Sequence, residues 1–174
     1  MLALMGVDFE TSQSETDEAP LSKENPRRYV LRVAKQKAEA VAKRFAEKWV
    51  LAADTAVVLN GKIIGKPRDG ADAERILAKL SGKWHTVLTG VVLVEVNGRR
   101  SLARVVSSKV KFREISPQEI RAYAETGEPM DKAGAYGIQG KGAFLVEKVS
   151  GSYTNVIGLP VKETREMLRI AGIL

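Results

Sequence analysis

Two asparagine–glycine pairs, Asn60-Gly61 and Asn97-Gly98, most constrain what this chain can fold into. Each separates two runs with strand character, and Asn-Gly is the residue pair that a tight two-residue hairpin turn favours, because both central positions take positive φ. The first pair joins Trp49–Leu59 to Lys62-Ile63-Ile64, and the second joins Trp84–Val96 to Ser101–Phe112. Helical patterns surround these hairpins. Val30, Val33, Ala34, Val41 and Phe45 recur at helical spacing and predict an amphipathic helix from about Arg27 to Lys48. A shorter helix is expected over Ala71–Leu80, with Gly82 placed to stop it, and a last one over Pro160–Ile170. Ser116-Pro117-Gln118-Glu119 has the cap, first-turn proline and capping-box glutamate of a helix start, and that helix should end near Thr126-Gly127. Residues 11–26 are polar and loop-like, 130–142 form a glycine-rich loop, and Ala143–Val149 reads as a strand. Hairpins mixed with helices, without regular strand–helix alternation, imply an α/β chain with a mixed sheet flanked by helices. No linker divides it by composition.

Composition removes whole classes of chemistry. There is no cysteine and only one histidine, His85, so thiol nucleophiles, disulfides, iron–sulfur clusters and multi-imidazole metal sites are excluded. What remains is carboxylates, lysines, hydroxyls, backbone amides, or a hard cation such as Mg²⁺ held by oxygen. With 28 basic against 21 acidic residues the net charge is +7, which favours an anionic partner. Aromatic residues are only 6% and are not interleaved with the basic ones, so no stacking platform for single-stranded nucleic acid is expected. No secretory signal is recognisable, and no apolar run approaches the roughly 18 residues of a membrane helix. A cytoplasmic protein without membrane or nucleic-acid partners is the expectation.

Four places break the local pattern. Lys37 falls between Val33 and Val41 on the apolar stripe of its helix, so it either snorkels outward or meets an anion such as phosphate. Asp54 lies inside an apolar strand, Val50–Val58, where an ionised carboxylate is costly unless it is paired, bound to a metal, or capping amides at the strand end. Lys66 follows the first hairpin, which should return it opposite the Asp54 end, as a surface salt bridge or as a phosphate clamp. The loop Ala133–Gly142 has enough glycine for close backbone approach, and Gln139 within it has an amide that both donates and accepts, as a base edge requires. Asp17-Glu18 is a further carboxylate pair in the polar loop, of a kind most often simply solvated. His85, beside Trp84 on a strand, reads as structural; no nucleophile motif accompanies it.

Taken in order, these segments resemble the Maf family of nucleoside triphosphate pyrophosphatases. The resemblance runs through Glu10, Asp17-Glu18, Tyr29–Ala38, Ala53-Asp54-Thr55, Gly65–Asp69, Leu80-Ser81-Gly82 with His85, and most specifically Gly127–Gly140, then Gly151-Ser152-Tyr153 and Val156–Pro160. It implies hydrolysis of a nucleoside triphosphate between the α and β phosphates, giving a monophosphate and pyrophosphate. It also implies an elongated α/β fold like that of the inosine triphosphate pyrophosphatases, one domain over residues 1–174 with two lobes around a central cleft, and a homodimer. The Gln139 form of the loop is similar to the branch acting on dTTP and UTP. By the same resemblance Asp54 is the proton acceptor, and Thr55 and Gln139 are positions associated with substrate choice. Glu18 and Asp54 would help hold Mg²⁺ (Mn²⁺ as the second choice), and Lys37, Lys66 and Lys132 would bind phosphate oxygens. One lysine 4 Å from a phosphate charge gains about 4 kcal/mol at an effective dielectric of 20, before desolvation.

The resemblance is broken at the start. The family opens with a strand, a small-residue loop and a Ser-Pro-Arg-Arg motif, whereas Met1–Gly6 looks like the tail of the helix that follows them. Pro26-Arg27-Arg28 is not that motif, since it lies after Asp17-Glu18 and opens the second helix. The expectation is a longer natural protein whose upstream DNA encodes the strand and motif. The alternative on the same resemblance is a nucleotide-binding regulator of septum formation that has lost turnover. A more distant one is an RNA-binding module, which steep salt dependence would reveal.

Overall fold

At the first hairpin, Asn60 and Gly61 have φ of 51° and 76°, the left-handed pair that a tight antiparallel return needs. In the computed structural model, which describes residues 1–45, 48–96 and 100–174, this turn joins β1 (Trp49–Leu59) to β2 (Lys62–Ile64). Their antiparallel register pairs Leu59 with Lys62, Val58 with Ile63 and Val57 with Ile64. The second Asn-Gly turn lies outside the described residues. Its strands, β3 (Trp84–Glu95) and β4 (Ser101–Phe112), are neighbours in the sheet, and the Glu95 amide donates to the Arg100 carbonyl at 2.9 Å. The five-stranded sheet has the order β2-β1-β3-β4-β5, with β5 (Val146–Ser150) antiparallel to β4. Helices flank it, so the expected α/β class holds.

The helices are α1 (Pro26–Ala42), α2 (Gly70–Leu80), α3 (Pro117–Glu125), the single turn α4 (Tyr153–Val156) and α5 (Val161–Ala171). Local chemistry starts each of the first three. The side chains of Asn25, Asp69 and Ser116 accept from the amides of Arg27, Asp72 and Glu119, and the reciprocal capping box of Ser116 and Glu119 is complete. Two boundaries differ from expectation. α1 ends at Ala42 instead of continuing to Lys48, because the Arg44 and Phe45 amides bond back three residues, to Val41 and Ala42, and tighten the last turn. β5 begins at Val146, since Lys141–Leu145 winds into a 3₁₀ turn. Within the glycine-rich loop, Glu128–Asp131 and Ala133–Ala135 are also 3₁₀ turns.

The chain forms two compact units. The first comprises residues 1–54, 89–106 and 158–174. In it Val91 and Leu93 pack with Met167, Leu168 and Ala171 of α5, while Val92 and Val94 pack with Ala34 and Ala38 of α1. Both faces of β3 are therefore covered over Val91–Val94, which is why that stretch reads as an unbroken apolar run and not as an alternation. The fit on α1 is tight: a Cβ at Gly90 would sit 2.5 Å from the Val30 carbonyl oxygen. The second unit comprises residues 55–88 and 107–157. Its core joins Val57, Val87, Val110 and Phe112 of the sheet to Leu77 and Leu80 of α2 and Ile120 and Tyr123 of α3. His85 belongs to this core. Its ring is edge-on to Phe112 and Tyr136, and Nε2 lies 2.8 Å from the Tyr136 hydroxyl.

Candidate functional site

Strand alternation decides where Asp54 points. In the first unit Trp49, Leu51 and Ala53 pack with the α5 cluster, whereas Val50 and Ala52 pack with the α1 cluster. Asp54 follows with the parity of Val50 and Ala52, so it faces α1. Lys37 on α1 is waiting there. Its Nζ donates to Asp54 Oδ1 at 2.8 Å and lies 2.7 Å from Glu18 Oε1. The Asp54 side chain is only 7% exposed and that of Lys37 20%, while Glu18 is 39% exposed. Of the two alternatives for Lys37, it meets an anion, and the anions that the fold brings to it are the protein's own carboxylates. Burial works against the ammonium, but hydrogen bonds to Asp54 and Glu18, and then their charges, leave its pKa above the ordinary lysine value. Lys37 is therefore a fixed cation at neutral pH and not a base.

The polar loop carrying Glu18 is held onto α1 by two residues of the Tyr29–Ala38 segment to which the sequence alone assigns no role. Tyr29 donates its hydroxyl to the Glu18 carbonyl at 2.9 Å. Arg32 donates Nε and Nη2 to the two oxygens of Glu24, each at 2.8 Å, and Nη2 also reaches the Ala19 carbonyl at 3.0 Å. Burial first, then the negative charges of Asp54 and Glu18, push the Tyr29 hydroxyl up to about 12. Tyr29 and Arg32 are three apart and so share a helix face, a signal that their spacing in the sequence does carry. Neither has a target until the loop folds back. Lys37 also lines a cavity of about 650 Å³ in this unit, with Phe9, Val41, Lys48, Leu51 and Ala53 among its walls. Glu10 pairs with Lys48 at 3.2 Å on the surface.

The remaining sequence-predicted residues lie in the second unit. Thr55, half-buried, shares a strand face with Val57 and Leu59. Lys66 is exposed just beyond β2, where the Gly65 carbonyl accepts from the Gly134 amide at 3.0 Å. That bond brings the loop after α3 beside it. Lys132 Nζ lies 2.6 Å from Asp131 Oδ1, and this hydrogen bond chiefly, with smaller help from the charges of Lys132 and Lys66, holds the Asp131 carboxyl below its usual range. Lys132 thus has a carboxylate partner of its own in the loop. Gln139 is exposed at the turn of the glycine-rich loop. Gly134, with φ of 73°, has Val57 side-chain atoms 2.7–2.9 Å from where a Cβ would be, so this glycine is required by a close approach. Among the described residues there is no group of three or more histidine, aspartate or glutamate side chains placed to hold a metal. No helix among them is long and apolar enough to cross a membrane.

Fold and site together define an α/β protein in which a helix lysine bridges a buried strand aspartate and a loop glutamate. The chain matches the family described as Maf-like protein over residues 1–171, and it belongs to the Maf family. It is 48% identical to a dTTP/UTP pyrophosphatase of Geobacter metallireducens over 174 residues, covering 100% of this chain and 91% of that protein. A dTTP/UTP pyrophosphatase of Anaeromyxobacter sp. is 53% identical over 175 residues, covering 99% of this chain and 83% of the relative. One of Myxococcus xanthus is 48% identical over 173 residues, covering 99% and 87%.

Proposed function

We propose that this protein is a nucleoside triphosphate pyrophosphatase that hydrolyses dTTP and UTP to the monophosphate and pyrophosphate. The observation that carries the reading is a buried carboxylate, Asp54, held at 2.8 Å by a lysine on the packed face of α1. The names of the relatives supply its substrate. Asp54 accepts the proton of the water that attacks the α phosphorus, and Lys37 orients it while offering a positive charge to the phosphate. The family resemblance assigns Lys66 and Lys132 to the phosphate oxygens, and Thr55 and Gln139 to substrate choice. The reading carries with it a cytoplasmic homodimer.

A divalent cation fits the donor set. Glu18 and Asp54 already converge on one cation, the Lys37 ammonium, at 2.7 and 2.8 Å, and both are hard oxygen donors. Two carboxylates completed by water and phosphate oxygens is the usual manner of holding Mg²⁺. The chemistry that such a cation supplies is neutralisation of the triphosphate charge and acidification of a water.

Pyrophosphate release from dTTP and UTP in the presence of Mg²⁺ tests the reading. Asp54→Asn should lower kcat by about 10²–10⁴-fold, the range of a general base, with the circular dichroism spectrum retained. Release of orthophosphate in place of pyrophosphate, or a fully active Asp54→Asn protein, would overturn it.

A further inference from the structure

The glycine-rich loop is fastened at both ends by one carboxylate and one phenol, neither of which the proposed chemistry uses. Tyr123 of α3, 2% exposed, donates its hydroxyl to Glu128 Oε1 at 2.9 Å and accepts from the Gly137 amide at 3.2 Å. Glu128 Oε2 accepts from the Lys141 amide at 2.8 Å, and Oε1 from the Gly142 amide at 3.0 Å. These bonds grip residues 137, 141 and 142, so the exposed turn bearing Gln139 is suspended between them. The glycines are what lets the grip close. A Cβ at Gly140 would lie 2.5–2.7 Å from the Glu128 carboxylate atoms, and one at Gly142 would lie 2.5 Å from the Tyr123 hydroxyl and 2.8 Å from the Gly137 carbonyl oxygen. Burial opposes the charge on Glu128, but the amides of Gly142 and Lys141, the Tyr123 hydroxyl and the charge of Lys132 outweigh it and leave the carboxyl below its ordinary value. It is a charged acceptor at neutral pH, and charged acceptors make the stronger hydrogen bonds to amides.

We propose that Glu128, supported by Tyr123, is a positioning residue that sets nucleotide selectivity by fixing the Gly137–Gly142 loop and with it the amide of Gln139. This deepens the proposed function and rests on Gln139 reading the base. An amide that identifies a base by donor and acceptor pattern discriminates only if its place is fixed to a fraction of an ångström. A loop rich in glycine has no such fixity of its own.

The test is steady-state pyrophosphate release from dTTP, UTP, dCTP and dGTP by the wild type, Gln139→Ala, Glu128→Ala, Glu128→Gln and Tyr123→Phe. Glu128→Ala should raise KM for dTTP and UTP about 10-fold, the scale of losing hydrogen bonds to a charged group, with a much smaller fall in kcat. Its preference for dTTP over dCTP should drop toward that of Gln139→Ala, and the double variant should lose no further selectivity. Glu128→Gln, which retains one acceptor but turns an amide donor toward a backbone N–H, should fall between wild type and Glu128→Ala, with Tyr123→Phe shifted the same way. Inactive wild type would overturn the proposed function itself. Unchanged selectivity in Gln139→Ala would remove the base-reading premise. Altered selectivity in Gln139→Ala, with Glu128→Ala and Tyr123→Phe both as selective as wild type, would overturn the positioning role. Should Glu128→Ala fail to fold, Glu128→Gln and Tyr123→Phe decide the matter by the same ratio.

Discussion

Replacing Lys37 by methionine keeps the length and apolar stem of the side chain and deletes only its charge. In the folded protein that charge lies 2.8 Å from an Asp54 carboxylate that is 7% exposed. Coulomb attraction at this distance is about 6 kcal/mol at an effective dielectric of 20, most of it offset by the desolvation of both groups. The net consequence of removing one partner is set by the carboxylate left behind. Breaking a buried pair costs about 3–5 kcal/mol, and an exposed pair about 0–1. The 20% exposure of Lys37 places it at the lower end of the buried range, so Lys37→Met should lose about 3 kcal/mol. For a chain of this length that is a fall in Tm of about 6–12 °C. Urea unfolding of Lys37→Met, Asp54→Leu and the double variant measures it, since the double variant should be much more stable than the sum of the singles. Glu18→Gln, whose carboxylate is 39% exposed, should cost under about 1 kcal/mol. A Lys37→Met loss as small as the Glu18→Gln loss, with additive singles, would refute the view that Asp54 is a buried charge dependent on this helix.

Two further perturbations probe the scaffold. Burial lowers the His85 pKa to about 4 from 6.5, so the folded state binds fewer protons than the unfolded one across that interval. The stabilisation is present above pH 6.5 and is lost as pH falls through the folded value. Between pH 7 and 4.5 the wild type should lose about 2.5 kcal/mol that His85→Gln does not, and identical acid limbs in urea titrations would contradict the buried neutral imidazole. Gly90→Ala would set a methyl group 2.5 Å from the Val30 carbonyl oxygen of α1, an overpacking that should cost about 1–3 kcal/mol or more. Differential scanning calorimetry should show Tm down by several degrees; an unchanged Tm would mean that helix and strand are not in the contact described.

Elements whose causes are local were legible in the sequence. Asn60-Gly61 fixes its hairpin because few other residue pairs accept two positive φ values, and Ser116-Pro117-Gln118-Glu119 starts its helix with bonds made entirely within four residues. The anomaly of Asp54 was legible too, since no apolar strand carries a carboxylate without a reason. What stood in the way at α1 was its stripe: Phe45 continues the helical period, yet the turn closes at Ala42, where hydrogen bonds three residues back replace those four back. The glycines at 137, 140 and 142 signalled only that something comes close. That the neighbours are Glu128 and Tyr123 depends on how the loop wraps against α3, which no local pattern encodes.

By itself, then, the sequence determined the hairpins, the helix starts, the excluded chemistries and the residues out of keeping with their surroundings. Tertiary structure alone decided which of those residues meet. Lys37 finds Asp54 17 residues away only because β1 and α1 pack face to face, and that packing stems from apolar burial on β3, not from any attraction between the two charges. Local hydrogen bonds act along the chain and leave a record in neighbouring letters. Burial acts across space, is indifferent to sequence order, and so assigns partners only once the whole sheet is covered.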